Sequence, residues 1–197
     1  MGLFFTLATI ILILLGVIIF SYGYNNSRRW MKGSKGEKLV AKYLKKLSKE
    51  YYVFNDVTLP VKRGNIDHIV VGPNGIFAIE TKNISGLFII DDDEWYYKSH
   101  YEVQKSRSQP GKQIKNNVVI LLDYLNSNGV NTKKFWINSI VALNNPNIII
   151  EETPKHYDIV QPSEITKFIT NTNKTLNRHT LKTIVNLLEP YSRFSNN

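Results

Sequence analysis

NIDHIVVGPNGIFAIETKN, residues 65–83, reads as two apolar strands joined by a tight turn. Pro73-Asn74-Gly75 carries the turn: proline fixes φ, and asparagine and glycine tolerate the left-handed region. Ile66, Ile69, Val70 and Val71 precede it, and Ile76, Phe77, Ala78 and Ile79 follow. These side chains suit a sheet interior. Both faces of both strands are apolar, which predicts a covered, central hairpin. Asp67, Glu80 and Lys82 are set into it, where charges persist only if they are paired or bind a metal.

Alternation places Glu80 and Lys82 on one face. The turn then decides what stands opposite them. A two-residue loop of Pro73 and Asn74 pairs residues whose numbers sum to 147 and sets Asp67 opposite Glu80. Opposed side chains have Cβ atoms roughly 4.5–5.5 Å apart, close enough for two carboxylates to share a cation. A three-residue loop with a bulge at Gly75 slips the register by one and brings His68 opposite Glu80 instead. A metal site needs the first register, or a second bulge that restores it.

An Asp followed by Glu-x-Lys on the next strand resembles the PD-(D/E)xK nuclease superfamily. The ordered set Gly36-Glu37, Gly64-Asn65-Ile66-Asp67-His68, Gly75-Ile76-Phe77, Glu80-Thr81-Lys82-Asn83 and Gly86 is similar to the nuclease-related domain, NERD, over about residues 33–143. The resemblance implies an α/β, restriction-endonuclease-like core, with a central mixed sheet flanked by helices. It also implies that Glu37 faces a metal site, that the backbone carbonyl of Thr81 is a ligand, and that Gln113 of a Pro110-x-x-Gln113 pair approaches the site. The family's usual Asn before that proline is Gln109 here.

The 197 residues are 43% hydrophobic and allow one domain plus an appendage. There is no cysteine, so disulfides and cysteine-based zinc sites are excluded. The formal charge is +9, and every Lys and Arg lies after residue 27, as suits a phosphate-bearing partner or an anionic membrane surface. Leu3 to Phe20 is an uncharged apolar run of 18 residues, extended by Ser21 to Tyr24 and long enough to span a bilayer. A cleaved signal peptide fits less well, because no basic residue precedes the run and no small-x-small site follows it. Tyr22, Tyr24 and Trp30 suit an interface belt, with Arg28, Arg29, Lys32 and Lys35 just beyond. This asymmetry predicts a single-pass cell-membrane protein with its amino terminus outside and its globular part in the cytoplasm. The expected organisation is an anchor over 1–24, a basic juxtamembrane linker over 25–33, and a NERD-like domain over 34–190 ending in a helical extension.

An amphipathic helix is expected over 34–49, with Leu39, Val40, Tyr43, Leu44 and Leu47 as its stripe. Ser34-x-x-Glu37 matches a capping box, a local role for Glu37 that competes with the metal-site role. Strands are expected over 51–59, 87–90, 94–98 and 135–143, the last beside the central hairpin. Asp91-Asp92-Asp93-Glu94 lacks the ligand spacing of a calcium loop and reads as a solvated hairpin turn. Residues 100–108 read as loop. A second helix over 110–127 buries Ile114, Val118, Leu121, Leu122 and Leu125, with Gln113 on the edge of that stripe and Ser108 or Gln109 as its cap. Short strands over 148–151 and 157–160, a short helix over 162–170 and a last helix over 175–188 complete the reading.

Asp67 and Glu80 are the donors that magnesium, or manganese in its place, would take together with waters and phosphate oxygens. Lys82 on the same face would orient or help deprotonate a water, or stabilise developing charge. A structural Asp67–Lys82 ion pair is the plainer alternative. His68 points to the other face and suits a core role, while His100, His156 and His179 show no metal spacing and no triad partner. The sequence thus predicts a membrane-anchored, magnesium-dependent nuclease acting on nucleic acid, with DNA placed first. The rival readings are a non-catalytic module tethering nucleic acid or protein, and a scaffold lying on anionic lipid.

Overall fold

One helix, α1 (Gly2–Leu44), carries the chain from the apolar run straight onto the globular part. The computed structural model describes residues 2–61, 64–173, 175–192 and 194–196, leaving aside the side chains of 2–9, 25, 29 and 194–196. The side chains that open the apolar run, from Leu3, and that of Arg29 therefore lie outside the described set. The helix expected to start at Ser34 does not start there: residues 25–33 are helical. No proline interrupts that stretch, and a single Gly33 costs a helix only about 1 kcal/mol. An unbroken ladder keeps every backbone group bonded, which a break would forfeit. With no helix terminus at Ser34, the capping-box role of Glu37 disappears.

The main sheet follows. Strands β1 (Tyr52–Val57), β2 (Ile66–Gly72) and β3 (Gly75–Lys82) pair as an antiparallel meander. After β3 the chain builds a second sheet from β4 (Leu87–Asp91), β5 (Glu94–Lys98) and β6 (Val103–Lys105). The three-residue β6 lies in the segment expected to be loop, too polar to announce itself. Helix α2 (Pro110–Ser127) then leads to β7 (Ile137–Leu143), which joins the main sheet parallel to β3. β8 (Ile148–Glu152) adds to the second sheet parallel to β4, and β9 (Asp158–Val160) to the main sheet parallel to β7. Helices α3 (Ile165–Thr170) and α4 (Arg178–Leu188) precede a last strand, β10 (Phe194–Asn196), paired with β1. The main sheet thus runs β10-β1-β2-β3-β7-β9, and the smaller one β6-β5-β4-β8. Both are mixed.

Alternation along β2 and β3 builds two cores. Val70, Phe77 and Ile79 face α1 and α3, where they meet Val40, Leu44, Ile165 and Ile169. Ile69, Val71, Ile76 and Ala78 face the other way, toward Ile114, Leu121 and Leu125 of α2 and Leu181, Ile184 and Leu188 of α4. Tyr157 ties the second sheet to this layer. Its hydroxyl accepts from Trp95 Nε1 and donates to the Asp92 carbonyl, both at 2.9 Å.

α1 runs antiparallel to β3. Gly36 lies against the C-terminal end of that strand, and after Leu44 the chain enters β1 at Tyr52, opposite Val71 at the loop end of the hairpin. A Cβ at Gly36 would stand 2.7 Å from Asn83 Cβ and 3.2 Å from Thr81 Cγ2. Asn83 Nδ2 also donates to the Lys32 carbonyl at 2.8 Å, and Lys32 Nζ to Ser85 Oγ. The helix is therefore seated on the strand end from Lys32 onward.

This seating separates two glycines on one helix. Gly33 has open space where a Cβ would go, so Gly33→Ala should leave stability unchanged or raise it by up to about 1 kcal/mol. Gly36→Ala should lower it by about 1–3 kcal/mol despite the same gain in helix propensity, because a rigid Cβ meets a rigid Cβ. Thermal unfolding of the full chain in detergent micelles measures both. A Gly36→Ala protein as stable as Gly33→Ala would show that the helix does not bear on β3.

Candidate active site

The central hairpin takes the two-residue loop. Gly72 faces Gly75, and Val71–Ile76, Val70–Phe77, Ile69–Ala78 and His68–Ile79 pair, each summing to 147. Gly75 adopts φ 141°, a conformation strained for any side chain. The ladder proper closes at His68–Ile79, and its next step is Asp67 against Glu80. The slipped register is thereby excluded.

Beyond that last pair, side chains take over the hydrogen bonding. The Thr81 amide donates to Asp67 Oδ2 at 2.8 Å. Glu80 is 1% exposed, and its two oxygens are held differently. Oε1 lies 2.6 Å from Lys82 Nζ, while Oε2 accepts from Asn117 Nδ2 at 3.3 Å. Lys82 Nζ also donates to Gln113 Oε1 at 3.1 Å, so the ammonium bridges the strand to α2. Asp67, Glu80, Lys82 and Gln113 thus stand together on the α2 side of the sheet. The ion pair that forms is Glu80 with Lys82, not the Asp67–Lys82 pair weighed from sequence.

Glu37 enters from the other layer, across the end of the sheet, and remains at the exposed rim. It nonetheless senses the cluster. Partial burial raises its pKa first, then the charges of Asp67 and Asp56, against an opposing pull from Lys82. Burial also pushes Asp67 up to about 7, helped by the Glu80 charge and opposed by the Thr81 amide and Lys82. Glu80 is raised chiefly by burial, with Lys82 working against it and Glu37 adding to it. The carboxylates are crowded enough to resist carrying full charge together.

Thr81 is buried with its methyl against Gly36, and its hydroxyl meets no partner. Its observed link to the cluster is the amide on Asp67. His68 sits on the α1 side, 2% exposed, with Nδ1–H donating to Asn55 Oδ1 at 2.7 Å. Burial lowers its pKa to about 4, which keeps it neutral and in a core role. His100, His156 and His179 lie exposed on separate segments.

Two residues of this neighbourhood escaped the sequence reading. Asn117 occupies a buried position on α2, three residues after Ile114 and four before Leu121. A polar residue inside an apolar stripe is the signal that marks it. Asp56 stands across β1 from Asp67, between the pairs Asn55–His68 and Val57–Ile66. It has φ 51° and accepts from Asn65 Nδ2 at 2.7 Å. Only the left-handed backbone, invisible in the sequence, distinguishes it.

Gln109 proves to be a brace for this layer, with no side-chain capping bond to α2. Its amide accepts from the Trp95 amide and donates to the Trp95 and Ser106 carbonyls, fixing β5 to the start of α2. The acidic turn after β4 does likewise: Glu94 pairs with Lys105 and Lys112, and Asp93 with Lys115. Through Lys112 and Lys115 that turn is tied to α2.

Among the described residues, no group of three or more carboxylate or imidazole side chains is drawn close enough to hold a metal ion. Asp67 and Glu80 offer instead a pair of hard oxygen donors in mutual repulsion. Such a pair fits a cation that keeps most of its water shell, as magnesium does.

A family model, nuclease-related domain, matches residues 32–144. An uncharacterized protein of Bacillus anthracis is 48% identical over 62 residues, 29% of this chain and 29% of its own length. The chain therefore spans under a third of that relative. No solved structure matches the chain significantly.

The raised carboxyls have a sign that stability measurements read. Asp67 moves from an ordinary 3.8 to about 7 in the fold, so between those values the native state binds more protons than the unfolded one. Its contribution to stability is present below about pH 4 and is lost as pH rises through 7. Asp67→Asn should therefore be more stable than the parent at pH 8, by about 1–3 kcal/mol or a few degrees in Tm. The difference should vanish near pH 4. A variant less stable than the parent at pH 8 would contradict the burial argument.

Proposed function

We infer, for a chain that belongs to the nuclease-related domain family, that it is a metal-dependent nuclease anchored to a membrane. Its substrate on this reading is nucleic acid, DNA first, and its reaction is hydrolysis of the phosphodiester bond. The observation that carries the inference is the meeting of Asp67, Glu80 and Lys82 at one end of the central hairpin.

Asp67 and Glu80, with the backbone carbonyl of Thr81, would hold magnesium, or manganese in its place. When bound, such an ion supplies Lewis acidity toward the scissile phosphate and lowers the pKa of a water. Lys82 is held between Glu80 and Gln113, so its ammonium has a fixed place from which to orient the attacking water or stabilise developing negative charge. Gln113 positions that ammonium, and Asn117 fixes the second oxygen of Glu80. Glu37, with its raised pKa at the solvent rim, would exchange protons with the site on this reading. Basic residues of α1 would meet phosphates without reading sequence.

α1 is the described helix long and apolar enough to cross a membrane. Arg28, Lys32 and Lys35 follow its apolar part, which favours a cytoplasmic globular part.

A second reading has its own support. Glu80 is already paired with Lys82 and bonded by Asn117, so both of its oxygens have partners without an ion. A module that tethers nucleic acid without cutting it would use such an arrangement.

Cleavage of labelled single- and double-stranded DNA and RNA by the full chain in detergent decides between them. Magnesium- or manganese-dependent cutting that EDTA stops is expected, with losses of at least about a hundredfold in Asp67→Ala, Glu80→Ala and Lys82→Ala. Binding unchanged in Glu80→Ala, with no cutting by the parent, would establish the tether. Activity surviving in Glu80→Ala would place the chemistry elsewhere. Independently of turnover, millimolar magnesium at pH 8 should raise the Tm of the parent and leave Asp67→Asn unmoved.

A further inference from the structure

We propose that α1 acts as a rigid spacer that turns the Asp67–Glu80 end of the sheet toward the membrane and holds it at a fixed height. The proposal rests on the readings of α1 as an anchor and of that strand end as the active site.

Direction comes first. α1 is antiparallel to β3: it passes the strand's C-terminal end at Gly36, and after Leu44 the chain enters β1 at Tyr52, which pairs with Val71 beside the Pro73-Asn74 loop. Its N-terminal continuation therefore projects beyond the end of the sheet that carries Asp67, Glu80 and Lys82. The opposite end, with the Pro73-Asn74 loop, points away from the apolar run.

Height follows from helix geometry. Twelve residues separate Tyr24, at the edge of the apolar stretch, from Gly36 at the strand end. At 1.5 Å per residue they span about 18 Å, and a tilt of about 20° shortens this little. Lys32, bonded to Ser85, lies about 12 Å from Tyr24 by the same measure. Residues 25–31 are continuous helix, so nothing there lets the globular part swing freely.

The surface between is suited to such a gap. Arg28, Lys32 and Lys35 are exposed along the helix, with Arg28 over the Tyr24 ring at 5.7 Å. The tip between β5 and β6 starts from Lys98, which pairs with Leu87 just past the site end of β3, and it bears a Tyr101 that is 98% exposed. A substrate would enter this gap sideways, its phosphates flanked by the cations of α1. The partner surface is the bilayer itself.

The chain has no cysteine, which opens a direct test. Ser85→Cys marks the active end and Ser48→Cys the far end, both at exposed serines. Each full-length variant is labelled with a fluorophore and reconstituted into phosphatidylcholine–phosphatidylglycerol vesicles containing nitroxide-headgroup lipid. Quenching at position 85 should exceed that at position 48 at least twofold. Inserting a twelve-residue Gly-Ser linker after Trp30 should erase most of the difference.

Equal quenching, or stronger quenching at position 48, in protein that floats with the vesicles would overturn the proposal while leaving the anchor intact. A difference that survives the linker would overturn the role of the helix as spacer. Failure to float would remove the anchor reading and the proposal with it. None of these readouts depends on nuclease turnover, so loss of the catalytic reading alone would leave them standing.

Discussion

Everything at this site depends on the length of one loop. Pro73 and Asn74 alone connect β2 to β3, and that choice fixes which residue faces Glu80. Strand side chains alternate, so a slip of one would exchange Asp67 for His68 and turn one strand's apolar set to the wrong core. The core and the site are therefore specified by the same register. His68, on the α1 side, and Asp67, on the α2 side, differ by one position and live in different chemistry: one neutral in a core, the other a carboxyl held high by burial.

The site itself is an electrostatic compromise. Glu80 is almost wholly buried, a place that is costly for a charge without partners. Lys82 and Asn117 supply those partners, while Asp67, Asp56 and Glu37 add like charge nearby. The balance is incomplete, which is why the carboxyls keep raised pKa values. Stable folds do not ordinarily collect acidic groups at the covered end of a central strand. An arrangement that gives up stability to keep these carboxyls together is the cost that the proposed metal site would carry.

Much of this was legible in the sequence, for identifiable reasons. The hairpin, the parallel strand after α2, and α2 itself carry strong apolar patterns bounded by proline and glycine, and each lies within a residue or two of its expected limits. The continuity of α1 was not legible, because basic residues, an isolated glycine and a capping-like Ser-x-x-Glu all resemble a boundary. Their meaning depends on Gly36 being pressed against Asn83, a tertiary contact. β6 was hidden by its polar composition, and the second sheet by a parallel pairing of β4 with β8 across a long separation. Asp56 was hidden by its backbone, since no sequence pattern announces φ 51° at an aspartate.

Gly36-Glu37 shows how these levels join. The glycine lets α1 approach the end of β3, and the following glutamate thereby reaches the rim of a cluster built on the opposite face of the sheet. A larger residue at 36 would lift the helix and take Glu37 with it. It would also disturb Asn83 and Ser85, which bind the Lys32 carbonyl and ammonium. One contact thus sets the reach of a candidate catalytic residue and the seat of the helix that leads to the apolar run. A chain that held its anchor by a flexible tether would need no such contact. Close packing between the last turns of α1 and the strand that carries Glu80 makes mechanical sense if the position of the site relative to the proposed anchor matters.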